Sequence, residues 1–179
     1  MRSALTLALV LVAAVPASAM AAGPVLSGGV IRTELLNNSD QRYEGLKGGG
    51  YKVAFEIGSH HIRNEFGFDQ SFLSGDGEGA SHKLTLTGLS YQLSALIFQQ
   101  GFTPYFAGGV EFGLAQMKAW GYADQGVSSA SSNGYYIRPY VAAGLRIPIG
   151  RFAIKTEVVA GWYGSFYGLS TNATLSYTW

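Results

Sequence analysis

Three histidines are the only side chains here whose unperturbed proton affinity lies near neutrality, and the chain has no cysteine. His82 follows Ser81, with Asp76 and Glu78 a few residues earlier, so a nucleophile, a base and an orienting acid stand close in the chain. The same residue types crowd ordinary loops, and that is the simpler account of them. His60 and His61 sit together between two apolar runs, and no spacing of histidines and acids makes a zinc site. Gly75-Asp76-Gly77-Glu78-Gly79 has the composition of a phosphate or calcium loop. It joins two strand-like segments, so the helix N-terminus of a dinucleotide site is missing, and its spacing fails the EF-hand pattern. No cofactor and no metal are expected.

The remaining chemistry is ionic. Six cations, Arg32, Lys52, Arg63, Arg138, Arg146 and Lys155, and six anions, Glu34, Glu56, Glu65, Asp69, Glu111 and Glu157, fall in segments that alternate apolar and polar residues. Alternation of period two means a strand with one greasy and one wet face. In residues 51–58, Tyr51, Val53, Phe55 and Ile57 oppose Lys52 and Glu56; in 152–162, Phe152, Ile154, Val158 and Trp162 oppose Lys155 and Glu157. Residues 25–36, 62–72, 84–97, 104–114 and 137–147 fit the same description, and the chain ends on an eighth such segment, 169–179. Eight strands with charge on one face and apolar side chains on the other suit an up-and-down antiparallel barrel that spans a membrane. All twelve charges are then expected inside. An eight-strand barrel is just wide enough for its side chains to fill it, so they are expected to form a salt-bridged plug rather than a narrow ion path or a catalytic centre.

The links support closure. Residues 37–50, 73–81, 118–134 and 163–168 read as longer polar or glycine-rich loops, and 58–61, 98–103 and 148–151 as short turns, as expected when one end faces outward and the other the periplasm. Residues 127–133, rich in serine, read as a mobile loop tip. Two places resist. Leu84 and Leu86 share the parity of Ser90, Gln92 and Ser94, which calls for a bulge near Gly88. Pro139 lies within a strand and calls for a bulge or a late strand start. Aromatic girdles are expected at both interfaces, from Phe98, Phe102, Tyr105, Phe152, Tyr177 and Trp179 at one and Phe72, Trp120, Tyr122, Tyr135, Tyr136 and Trp162 at the other.

Arg2 is the only charge before Arg32, residues 4–15 are apolar, and Ala17-Ser18-Ala19 is a small-x-small cleavage site. Residues 1–19 therefore read as a signal peptide, with cleavage as late as residue 22, and residues 20–179 as the barrel. The chain has 12 basic and 11 acidic residues; removing Arg2 makes the mature protein neutral, which argues against nucleic acid.

Pro104-Tyr105-Phe106-Ala107-Gly108-Gly109-Val110, Ala143-Gly144-Leu145-Arg146 followed by Lys155-Thr156-Glu157, and the terminal Leu175-Ser176-Tyr177-Thr178-Trp179 resemble the small outer-membrane β-barrel family of attachment, invasion and opacity-type proteins. The resemblance implies a Gram-negative outer-membrane location and a C-terminal signal, Leu175, Tyr177 and Trp179, read by the barrel-assembly machinery, although phenylalanine is the commoner last residue. It also implies lipid, lipopolysaccharide, and host or neighbouring surface proteins as partners. Lipid A deacylases of similar barrel size carry a His-x-Ser pair on a late strand; residues 162–169 contain Ser165 and no histidine. The expected function is a non-enzymatic surface barrel, with a narrow channel and a lipid A-modifying enzyme as the alternatives.

Overall fold

The computed structural model describes residues 22–38, 45–77, 80–98, 101–123, 126–164 and 166–179. The expected signal peptide lies outside them, as do Glu78 and Gly79. Eight strands follow one another in sequence: β1 (Ala22–Asn38), β2 (Lys47–Gly58), β3 (Ile62–Gly77), β4 (Ala80–Leu96), β5 (Thr103–Ala123), β6 (Gly126–Ile149), β7 (Phe152–Trp162) and β8 (Phe166–Thr178). Each pairs antiparallel with its neighbours, and β1 pairs with β8, so the sheet closes.

The registers fix the stagger. From Val25, directly paired residues run through Glu56, Glu65, Gln92, Gly109, Tyr140, Gly161 and Gly168 and return to β1 at Leu35, ten residues further along. A closed sheet needs such an offset, and the offset tilts the strands. Every residue in this circuit points inward, because directly paired residues share a face.

The outer wall is an apolar belt. Leu26, Val30, Val53, Phe55, Phe66, Phe68, Leu89, Phe106, Phe112, Val141, Leu145, Ile154, Val158 and Leu175 all stand exposed on it. A soluble monomer rarely presents an apolar surface this large, and hydrocarbon is the medium that suits it. Phe98, Phe102, Phe152 and Trp179 lie exposed at the end that carries the chain termini, and Phe72, Tyr135 and Trp162 toward the other. Tyr105 and Tyr136 do not join these girdles. They point inward, where their hydroxyls meet Glu157 and Glu111.

Four expectations need correction. Residues 73–81 and 118–134 are strand for nearly their whole length: β3 and β4 pair as far as Gly77 and Ala80, β5 and β6 as far as Ala123 and Gly126. The serine-rich segment 127–133 is thus a paired part of β6 and not a loop tip. Serine and glycine do not preclude a strand when the opposite strand supplies the ladder. No register shift marks Gly88, so Leu84 and Leu86 do face inward. Pro139 causes neither bulge nor late start. It pairs with Val110 on β5, and the β6–β7 ladder begins only at Tyr140, so the missing N–H leaves no gap in the ladder. From Gly126 to Pro139, β6 has β5 as its only ladder partner among the described residues.

Candidate functional site

Ten of the twelve charges expected inside are there. Lys52 and Glu56 come from β2, Arg63, Glu65 and Asp69 from β3, Glu111 from β5, Arg138 and Arg146 from β6, and Lys155 and Glu157 from β7. That makes five of each sign. The strands that carry them are brought face to face only by closure. Lys52 Nζ lies 2.5 Å from Glu65 Oε1 and 3.5 Å from Glu157 Oε1. Lys155 Nζ reaches Glu56 Oε1 at 3.1 Å and also bonds to Glu65. Arg63 and Arg146 approach Glu56 at 3.8 and 3.6 Å from the end near the termini. Further along the axis, Arg138 pairs with Glu111 at 2.5 Å, and Ser90 donates to Asp69 at 2.9 Å.

Neutral donors add to two of these carboxylates, Glu157 and Glu111. Glu157 accepts from Tyr105 Oη at 2.9 Å, Asn172 Nδ2 at 2.8 Å and Gln92 Nε2 at 3.3 Å. Tyr136 donates to Glu111, and Arg138 donates to Tyr163 Oη at 2.8 Å. A buried charge is tolerated only when paired and hydrogen-bonded, and this shell of amides and phenols supplies what the ion pairs alone do not. Sequence reading missed these partners, although parity held the clue: Tyr105 alternates in step with Glu111, and Tyr136 in step with Arg138.

The tyrosines fit because glycines face them. Gly109 pairs with Tyr140, Gly113 with Tyr136 and Gly144 with Tyr105 across β5 and β6. A Cβ at these glycines would lie 2.4, 2.5 and 2.6 Å from the facing ring. The high glycine content of the chain is in part room for these rings.

The two remaining residues, Arg32 and Glu34, are not in the lumen. Both are exposed on the outer wall. The apolar residues of β1 occupy both parities, and the register decides between them: Leu26 pairs with Phe55 and Tyr177, which puts the even-numbered residues outside. Arg32 then lies between Gly49 and Thr171, and Glu34 faces Lys47. Inside go Val25, Ile31 and Leu35.

Above the charges, at the end away from the termini, the lumen is apolar. Leu35, Leu46, Leu73, Leu84, Leu86 and Tyr163 form one buried cluster, with Ala115, Met117 and Tyr136 against it. The described interior hollows are small: about 20 Å³ among Lys52, Asp69, Glu111, Arg138 and Tyr163, and about 10 Å³ beside Glu56, Arg63 and Arg146. The larger is room for about one water molecule.

The histidine cluster does not assemble. Ser81 and His82 are successive residues of β4 and so point to opposite faces, and Asp76 pairs with Ser81 while His82 pairs with Gly75. His61, in the turn before β3, approaches the Leu96 carbonyl at 3.5 Å. No group of three or more metal-ligating side chains occurs among the described residues. At the C-terminus, Leu175 points outward, and the Tyr177 ring packs between Phe152 and Trp179 at centroid distances of 5.2 and 6.2 Å.

The arrangement has solved counterparts. The chain is similar to the attachment invasion locus protein Ail of Yersinia pestis, with a TM-score of 0.61 and 14% identity over 88% of this chain and 99% of that one. It is similar to Neisserial surface protein A, with a TM-score of 0.63 and 12% identity over 88% and 97%. A structure of Ail in complex with the heparin analogue sucrose octasulfate also matches, with a TM-score of 0.57 and 14% identity. No protein-family model and no curated sequence matches the chain. At these identities the likeness concerns the fold: an eight-strand closed antiparallel barrel of the small outer-membrane type.

Proposed function

We propose that this protein is a non-enzymatic barrel of the Gram-negative outer membrane, acting through the part that projects from the outer leaflet. The observation that carries the reading is the contrast between a filled interior and an exposed upper sheet. Ion pairs and a leucine cluster occupy the lumen, while β5 and β6 continue as a paired ribbon past the point where β7 ends. Residues 129–135 on that ribbon are exposed on both faces. The chemistry on offer outside is adhesive rather than catalytic.

The upper sheet carries a cationic feature suited to an anionic partner. Lys83 and Lys118 are directly paired across β4 and β5, with Ser74 and Ser131 beyond them. Like charges in that position are destabilising, and neither lysine has an ion pair among the described residues. The Lys83 ammonium instead stands 5.3 Å from the Trp120 ring centroid. Sulfated or phosphorylated sugars of a host matrix or of lipopolysaccharide match that pair. Ail has been solved with a sulfated sugar analogue, which makes sucrose octasulfate a sensible probe here.

The test is surface binding by cells that display the whole chain against cells displaying a version with residues 118–134 replaced by a tight turn. Loss of binding to heparin-coated or cell-coated surfaces is the expected result. Unchanged binding removes the adhesive reading. Steady unitary conductance of the purified protein in planar bilayers would replace it with a channel, and an altered lipid A mass profile on expression would replace it with an enzyme.

A further inference from the structure

The lumen charges balance in number but not in place. Toward the end that carries the termini, four cations, Lys52, Lys155, Arg63 and Arg146, meet three carboxylates, Glu56, Glu65 and Glu157. The surplus falls on the two arginines. Glu56 Oε1 already serves Lys155 at 3.1 Å, and Arg146 and Arg63 both approach Glu56 Oε2, at 3.6 and 3.8 Å. Those separations are too long for hydrogen bonds. A guanidinium presents its N–H donors as a rigid fork, and here two forks share one distant oxygen.

The neighbouring strands offer these arginines no other anion. Arg63 is directly paired with Gly58 on β2 and Ser94 on β4, and Arg146 with Thr103 on β5 and Lys155 on β7. Like charges directly opposite are destabilising, so Arg146 stands beside Lys155 at a cost. Arg63 is only 8% exposed, and its Nε and Nη1 are buried without a hydrogen-bond partner among the described residues. Leaving a charged donor buried and unsatisfied costs more than leaving a neutral one.

The site has room for a partner and a way in. A hollow of about 10 Å³ lies among Glu56, Arg63, Ser94, Tyr105, Arg146 and Lys155. That is the least that a single water-sized group needs, so it takes one atom of a ligand while the rest projects toward the mouth. Leu96 and Pro148 are the last inward-facing residues of β4 and β6 at that end; Leu96 is half-buried and Pro148 exposed. The side chains of Arg63 and Arg146 themselves keep 10 and 13% of their surface exposed. Tyr105 Oη is committed to Glu157, and Ser94 Oγ accepts from Gln92, so neither supplies negative charge.

We infer that Arg63 and Arg146 bind one small oxyanion, a phosphate or a carboxylate, at this mouth of the barrel, with one of its oxygens in the hollow that both arginines line. Planar guanidiniums match the paired oxygens of such an anion, and its charge offsets the surplus cation of the lower lumen. On the outer-membrane reading above, the mouth opens to the periplasm. Cell fractionation tests that reading and the binding measurement tests the site, so either can fail alone.

The experiment uses the full chain purified in a phosphate-free maltoside detergent, with radiolabelled inorganic phosphate in equilibrium dialysis at constant ionic strength. The variants are Arg63→Gln, Arg146→Gln and Arg63→Lys, with Arg32→Gln on the outer wall as the control. Heat-modifiable gel migration checks that each is folded. One saturable phosphate per barrel is expected. Its affinity should fall about tenfold or more in each glutamine variant, as for loss of a hydrogen bond to a charged group, and stay unchanged in Arg32→Gln. Arg63→Lys, which keeps the charge and loses the fork, should fall less, and it reports on the site even where a glutamine variant does not fold. A ligand held only by the folded barrel raises the urea midpoint, so phosphate should raise that of the native chain and not that of Arg63→Gln. Acetate should compete, and chloride at the same concentration should not. Tighter binding of acetate than of phosphate would assign the site to carboxylates. Competition by chloride as effective as that by acetate would overturn the oxyanion. Absence of saturable binding, or binding unchanged in the arginine variants, would overturn the site.

Discussion

Near the chain termini the lumen is packed with Lys52, Lys155, Glu56, Glu65 and Glu157, whereas at the other end Leu35, Leu46, Leu73, Leu84 and Leu86 fill the same cross-section. Both halves are closed, by opposite means. The charged half works only as a set: Glu56, Glu65 and Glu157 each meet a cation from another strand, and Glu157 accepts from Tyr105 and Asn172 besides. The apolar half needs no mutual satisfaction and tolerates adjustment. It also lies between the ion pairs and the outer solvent. Excluding water there keeps the local dielectric low and the charge pairs strong. The upper half therefore protects the lower, and the lower fixes which strand stands opposite which.

The contrast breaks most readily at its lower end. Lys155→Met strands Glu56 and Glu65 without their shared cation, and a loss of about 3–5 kcal/mol is expected in urea unfolding of the detergent-folded barrel. A loss below 1 kcal/mol would mean that the carboxylates are not held by this lysine. Leu84→Ala in the collar should cost less, about 2–3 kcal/mol, because Met117 and Tyr136 are placed to settle into the space. Opening the collar further, with Leu84→Ser and Leu86→Ser together, should leave planar-bilayer conductance at background, since the ionic half still fills the lumen. Unitary currents from that variant would show that the leucines alone seal it.

Two smaller effects sharpen the comparison. Glu111→Leu with Arg138→Met removes a buried pair together, and the double variant should cost less than either single substitution, within about 1–2 kcal/mol of the native protein. Equal, additive losses would mean that the pair is not coupled. Glu34→Ala should change stability by no more than about 0.5 kcal/mol, as for other exposed positions. A loss of several kcal/mol would return Glu34 to the lumen.

Legibility varied by strand, for a physical reason. In β7, the charges Lys155 and Glu157 alternate with Phe152, Ile154 and Val158, and only one face can meet lipid, so the sequence suffices. The last strand is equally plain, with Ser170, Asn172 and Thr174 inside and Leu169 and Leu175 outside. In β1, apolar residues lie on both parities, because its upper inner face joins the leucine cluster. Charge was then the only guide, and it misplaced Arg32 and Glu34. The same leucine cluster explains why Leu84 and Leu86 read as out of step: a lumen that is apolar at one end breaks the equation of inside with polar. The long hairpins look like loops by composition, because serine and glycine suit loops, yet a ladder needs only backbone.

By itself, then, the sequence determined the class of fold, the number of strands and the wet face wherever a strand carries both charge and large apolar side chains. Hydrophobic alternation is a local property, and local properties are written in consecutive residues. Which charges meet, that Tyr105 and Tyr136 turn inward onto carboxylates, that leucines seal one end, and that Arg32 stands on the outer wall were decided only in the closed barrel. Those facts depend on the ten-residue stagger between distant strands. No short window of the chain contains it.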